Sequence, residues 1–142
     1  VAAHVLCKLP RDAEGYMGRL RCVQEISAVT AACMMVKTSV FKAVGGFDEE
    51  LKVAFNDIDL CMKVRKYGVK IVFTPYAELY HYESKSRGME DTPEKQLRFS
   101  REVNCFRRKW ERELLKGDPY YNPNLTLNNT DCSLRKQEKN GD

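Results

Sequence analysis

The hydrophobic positions of this chain change spacing several times, and each change marks an element. Residues 26–36 are β-branched and apolar, which predicts a buried strand. Within it, the small side chains of Ala31 and Ala32 would let a ligand or another backbone come close. Thr38 then caps a short predicted helix over 39–44, which stops at Gly45-Gly46. A loop over 47–55 leads to a second helix over 57–67, with Leu60, Cys61 and Val64 at helical spacing and Gly68 as its stop. Residues 69–74 read as a strand, Pro75 as a break, and 77–83 as another strand ending in Tyr80-His81-Tyr82. A polar loop over 84–91 precedes a long helix opened by Thr92-Pro93, with Glu94 in its first turn. Phe99, Val103, Phe106, Trp110 and Leu114 form its apolar stripe, and Gly117-Asp118-Pro119 ends it.

The two ends carry weaker patterns. Residues 1–24 are punctuated by Pro10, Gly15 and Gly18 and read as a basic loop. Residues 120–142 pass from aromatic and Asn/Pro-rich to polar, and are expected to be an extended, disordered tail beyond a folded unit at 1–119. Strands and helices alternate, so the fold class expected is α/β or α+β. Three strands make a small sheet for so many apolar residues. Together with a start at Val1 inside an apolar stretch, this gives the expectation of a piece from a longer polypeptide.

Composition narrows the class without deciding it. The chain has 142 residues, 43% hydrophobic and 31% charged, as one soluble domain would. Its longest apolar run, 28–36, is far too short to span a bilayer. Six cysteines at 7, 22, 33, 61, 105 and 132 include no close pair, which excludes Cys-x-x-Cys zinc and redox patterns and suits a reduced, cytoplasmic protein. The net charge of +4 is interspersed and gives no sign of nucleic acid. Arg98, Arg101, Arg107, Arg108, Lys109 and Arg112 make the last helix basic, but Glu102, Glu111 and Glu113 interrupt them, as on a solvated face.

Few residues carry candidate chemistry. Asp57 heads the face formed with Leu60, Cys61 and Val64, where a partly desolvated carboxylate could serve as a general base. An Asn56 or Asp57 helix cap accounts for the same pattern and is the commoner role of such residues. Asp59 stands four residues before Lys63, a surface pairing. His81 shares a strand face with Leu79; a lone histidine is more often a hydrogen-bonded core residue than a metal ligand. Lys85 and Arg87, beside Gly88, could close over a phosphate or simply be solvated. Glu49 and Glu50 suit either a sugar hydroxyl or plain surface charge.

The ordered set Val29-Thr30-Ala31-Ala32-Cys33, Val44-Gly45-Gly46-Phe47-Asp48-Glu49, Phe55-Asn56-Asp57-Ile58-Asp59-Leu60-Cys61, Thr74-Pro75, Tyr80-His81, Ser86-Arg87-Gly88 and Asp118-Pro119-Tyr120-Tyr121-Asn122-Pro123 resembles the second half of a family-2 glycosyltransferase domain of the GT-A fold. The resemblance covers roughly residues 15–126. It implies a partial GT-A fold, a mixed sheet with flanking helices and a long C-terminal helix. It implies transfer of a sugar from a nucleoside-diphosphate sugar to a hydroxyl of a glycan or lipid-linked glycan, with inversion. Asp57 then becomes the general base, Asn56, Glu49, Arg87 and Lys85 contact substrates, and His81 completes the coordination of Mn2+ or Mg2+.

The expected setting is cytoplasmic, with peripheral association at the inner face of the cytoplasmic membrane. Two departures stand out. The nucleotide-binding half with its Asp-x-Asp strand end is absent, so the chain alone is expected to be inactive. Asn56 also stands where many members of that family carry Glu. The alternative expectation is a non-enzymatic module whose long basic helix docks a partner or a second copy; nucleic-acid binding ranks last.

Overall fold

The computed structural model describes residues 4–82 and 92–136. Four helices and two short strands appear in the order β1 (Gln24–Glu25), α1 (Thr38–Ala43), α2 (Asn56–Lys66), β2 (Val72–Phe73), α3 (Pro93–Lys109) and α4 (Glu111–Lys116), with 3-10 turns at Tyr16–Arg21 and Ala31–Cys33. The two strands pair antiparallel, Gln24 opposite Phe73 and Glu25 opposite Val72.

The helices follow their local signals closely. Thr92 caps α3 through a hydrogen bond from Lys95 N–H, and Pro93 takes the first helical position. Gly45 and Gly46 both take positive φ after α1, and a Cβ on Gly46 would press against the Phe41 ring at 3.1 Å. Three expectations shift in detail. Lys37 rather than Thr38 is the residue flanking α1, α2 starts at Asn56, and the long helix breaks at Trp110 into α3 and α4. Trp110 leaves helical geometry (φ −115°, ψ 20°) while its indole N–H is held by a carboxylate across the core.

The strands depart further from expectation. Residues 26–36 give one backbone bond to the neighbouring strand, Ile26 N–H to Ile71 carbonyl, and then turn at Ala31–Cys33. The strand expected over 69–74 is reduced to Val72–Phe73, and 77–82 form no strand. A strand exists only where a neighbour takes its hydrogen bonds, and each strand here has one partner among the described residues. Apolar positions that a wider sheet would cover stay outside: Met35 is 99% exposed, and Val72 and Leu79 are exposed too.

The core lies between α2, α3 and the loop joining α1 to α2. Leu51, Phe106 and Trp110 are buried at its centre, with Phe55, Ile58, Met62, Cys105 and Leu114 packed around them. Phe55 stacks on Phe106 with ring centres 5.1 Å apart and lies 5.9 Å from Phe99. To reach that position Phe55 adopts φ 64°, a left-handed backbone that costs a bulky residue on the order of 1–3 kcal/mol. Glu102 secures the same turn from α3: its buried carboxylate accepts N–H bonds from Val53 (3.2 Å) and Ala54 (2.8 Å). The bend into α2 is therefore held from both sides.

The expected disordered tail is folded as far as Lys136. Tyr120 donates its hydroxyl to Glu25 (3.0 Å), and the Arg19 guanidinium donates to the Tyr120 carbonyl. Leu125 and Cys132 are buried, and Thr126 N–H bonds to the Ser133 carbonyl at 2.8 Å. Aromatic residues in that stretch bring enough apolar area and hydrogen bonds to hold it, which the polar composition after residue 126 conceals. Residues 137–142 lie outside the described part.

Candidate active site at the start of α2

The candidate site begins where the strained Phe55 turn delivers Asn56 and Asp57. Asn56 Oδ1 accepts the Asp57 N–H at 2.7 Å. Asp57 is half-buried, and its two carboxylate oxygens are fastened to different elements. Oδ1 accepts the Ile58 N–H at 2.8 Å, and Oδ2 accepts the Ala31 N–H at 3.1 Å. One turn further along α2, the Cys61 thiol lies 3.7 Å from the Val29 carbonyl, and burial pushes that thiol up from its usual range. Residues 29–31 thus rest on the side of α2 that carries Asp57 and Cys61, a spacing of four that puts both on one face. The expected cap role falls to Phe55, which makes no side-chain cap bond; Asp57 lies in the first turn of α2 and fixes the small-residue turn in front of it.

Asp59 reverses its expectation. Its carboxyl is fully buried (0% exposed), where surface pairing was expected. Oδ1 accepts the Trp110 indole N–H at 2.8 Å and lies 2.8 Å from the Lys109 ammonium. Lys63 comes within 3.1 Å of Oδ2 as an ion pair without hydrogen-bond alignment, because its ammonium is aimed at the Gly46 carbonyl at 2.5 Å. The physical reason is that α2 has two buried sides. Ile58, Asp59 and Met62 face α3, while Asp57, Leu60, Cys61 and Val64 form the other. The spacing showed only the second.

The acidic loop is tied to this network. Lys109 also reaches Asp48 at 2.5 Å, Asp48 accepts the Glu50 N–H, and the Cys105 thiol lies 3.2 Å from a Glu50 carboxylate oxygen. The Lys109 hydrogen bond, aided by the Glu50 N–H, holds the Asp48 carboxyl below the usual range. For Lys109, burial works downward, but its bonds to Asp48 and Asp59 prevail and raise it. A lowered carboxylate adds stability above its unfolded pKa, lost as pH falls through the folded value. A raised lysine adds stability below its unfolded pKa, lost as pH rises through the folded value. The Asp48–Lys109 tie is therefore complete between about pH 4 and about pH 10. This tie should add no slope to the urea midpoint inside that window and should lower it below about pH 4, and Lys109→Met should flatten part of the acid limb. An acid limb identical in the variant would remove this tie as its source.

Of the remaining candidates, the two that are described, Glu49 and His81, make no hydrogen bond to Asp57. Glu49 is exposed on the loop. His81 is exposed and makes no hydrogen bond or ion pair with any described residue, and Lys85 and Arg87 lie outside the described residues. No group of three His, Cys, Asp or Glu side chains able to hold a metal occurs among the described residues. Mn2+ and Mg2+ favour several oxygen ligands, so a single exposed imidazole does not fit such an ion. Sequence reasoning missed Lys109, Trp110 and Glu102 as supports of the site. The sequence places Trp110 in the apolar stripe and Lys109 and Glu102 on a solvated face, whereas Glu102 is buried and Lys109 reaches the buried Asp59.

Comparison with known proteins gives a partial likeness. The chain is 54% identical over 94% of its length to the uncharacterized protein y4gI of Sinorhizobium fredii, of which it spans 15%. It is 39% identical over 81% of its length to the O-antigen biosynthesis protein RfbC of Myxococcus xanthus, spanning 9% of that protein. Over 62 residues (44% of the chain) it is 36% identical to an N-acetylglucosaminyl-diphospho-decaprenol L-rhamnosyltransferase of Mycobacterium tuberculosis, spanning 20% of it. No family model matches the chain, and no solved structure matches it. The chain thus spans a fifth or less of each of these relatives, and its likeness is to a segment of each.

Proposed function

We propose that this chain is the acceptor-side part of an inverting, family-2 glycosyltransferase domain with a partial GT-A fold. Asp57 takes the proton of an acceptor hydroxyl as the oxygen attacks the anomeric carbon and the nucleoside diphosphate departs. The observation that carries the reading is the state of that carboxylate. It is half-buried, its orientation is set by Ile58 and Ala31, and each oxygen spends one lone pair on them. An ionised carboxylate offers about four acceptor positions, so it can still receive a hydroxyl. A base held in this way needs no rearrangement at the moment of transfer.

In this reading the Asn56 amide and Glu49 contact the acceptor glycan or lipid-linked glycan, and Lys85 and Arg87 hold the diphosphate. The roles of His81 and of Mn2+ or Mg2+ rest on the family resemblance alone. The reaction is placed on the cytoplasmic side. The relatives named for O-antigen biosynthesis and rhamnosyl transfer support sugar transfer in general.

The test is to supply the full-length polypeptide with a panel of nucleoside-diphosphate sugars and lipid-linked or soluble glycan acceptors, and to read the product anomer by NMR. Transfer with inverted configuration is expected. A product with retained configuration would exclude Asp57 as a simple base, and absence of transfer across the panel would count against the class.

A further inference from the structure

The outward side of α3 carries positive charge that the fold leaves unused. Leu97, Arg101, Asn104 and Arg108 recur at steps of four, three and four, so they share one face, opposite the side where Glu102 and Phe106 are buried. All four are exposed, as is Arg107 beside them. Beyond the break at Trp110, Arg112, Leu115 and Lys116 of α4 are exposed as well. Arg101, Arg107, Arg108, Arg112 and Lys116 make no hydrogen bond or ion pair with any described residue. Their neighbours differ: Lys109 is engaged by Asp48 and Asp59, and Arg98 lies 3.8 Å from Glu102. Only Glu94 and Glu111 place acid among these exposed positions.

Two leucines accompany the arginines. Leu97 is 54% exposed and Leu115 is 82% exposed. A nucleic-acid backbone would use the arginines but would gain nothing from the leucines, and no tyrosine or tryptophan joins this face to stack on bases. A second copy of the chain would bring the same positive face in a two-fold pairing and repel. An anionic bilayer uses both kinds of residue: guanidinium groups meet lipid phosphates while leucines enter the headgroup boundary.

We infer that the α3–α4 outer face docks on an anionic lipid surface. This inference stands apart from the transfer reaction and is tested without it. The protein is sedimented with phosphatidylcholine vesicles made with and without phosphatidylglycerol, at low and high salt. Binding is expected only with phosphatidylglycerol, and it weakens with salt. Each basic residue near the surface is worth roughly fivefold in partitioning, so losing three cations costs on the order of a hundredfold, and the charge-reversed R101E/R108E/R112E variant should lose more than that. Leu115→Ser should weaken binding severalfold and leave the salt dependence unchanged. A milder R101Q/R108Q/R112Q variant, with unfolding midpoints for all, separates lost charge from lost fold. Equal binding to pure phosphatidylcholine would trace the contact to other exposed apolar side chains and overturn the inference. So would no binding to either vesicle, undiminished binding by a folded charge variant, or tighter binding to duplex DNA than to the vesicles.

Discussion

Replacing Asp59 by alanine should lower the unfolding free energy by about 3 kcal/mol, a large share of the roughly 5–15 kcal/mol that holds a domain. The carboxyl is fully buried and is the shared acceptor for the Trp110 indole N–H and for Lys109, with Lys63 beside it. Its removal leaves a buried indole N–H unmatched and two ammonium groups near a void. Lys109 retains Asp48, and the side chains of Lys63 and Lys109 are 18% and 33% exposed, so water recovers part of the loss. That places the estimate at the lower end for a broken buried pair. Asp59→Asn keeps an acceptor for the indole and should cost less than Asp59→Ala. Urea unfolding with an unchanged slope reads both. A loss under about 1 kcal/mol for the alanine variant would mean that the network is not the clamp between α2 and α3 described above.

The second large effect is on turnover. In the full-length polypeptide, Asp57→Asn should lower sugar transfer by about 10²–10⁴-fold, the range a positioned proton acceptor contributes. Folding should be nearly spared. The amide oxygen can accept from either Ile58 or Ala31 but not both, so one hydrogen bond is lost, worth about 1 kcal/mol. Donor affinity should be unchanged, because Asp57 is assigned to the acceptor. A fall in stability without a fall in turnover would assign Asp57 to the scaffold. The two aspartates therefore make opposite predictions, although they stand two residues apart on one helix.

That contrast also marks what the sequence can say. Helices α1, α2 and α3 are legible because their ends are written locally, in Gly45-Gly46, Gly68 and Thr92-Pro93. The break at Trp110 is not, since its partner Asp59 is 51 residues away and belongs to another helix. The same distance hides which aspartate is buried. An i,i+4 lysine gives a sufficient account of Asp59 until α3 brings Trp110 and Lys109 against it.

Strands are legible as composition but not as extent. Residues 26–36 and 69–74 have the right side chains, yet how far each stays extended depends on neighbours that local pattern does not specify. At the candidate site, the sequence singles out Asn56-Asp57 through the helix start and the resemblance. The anchoring of Asp57 to Ala31 could not, because it is a contact between segments 26 residues apart.

A structure of the full-length polypeptide with a nucleoside diphosphate and an acceptor analogue bound would test the central claim most directly. The quantity to read is the distance from the Asp57 carboxylate to the reacting hydroxyl. About 2.6–3.2 Å is expected, with Asn56 beside the same sugar. An acceptor hydroxyl set against a different base, with Asp57 still bound only to Ala31 and Ile58, would contradict it.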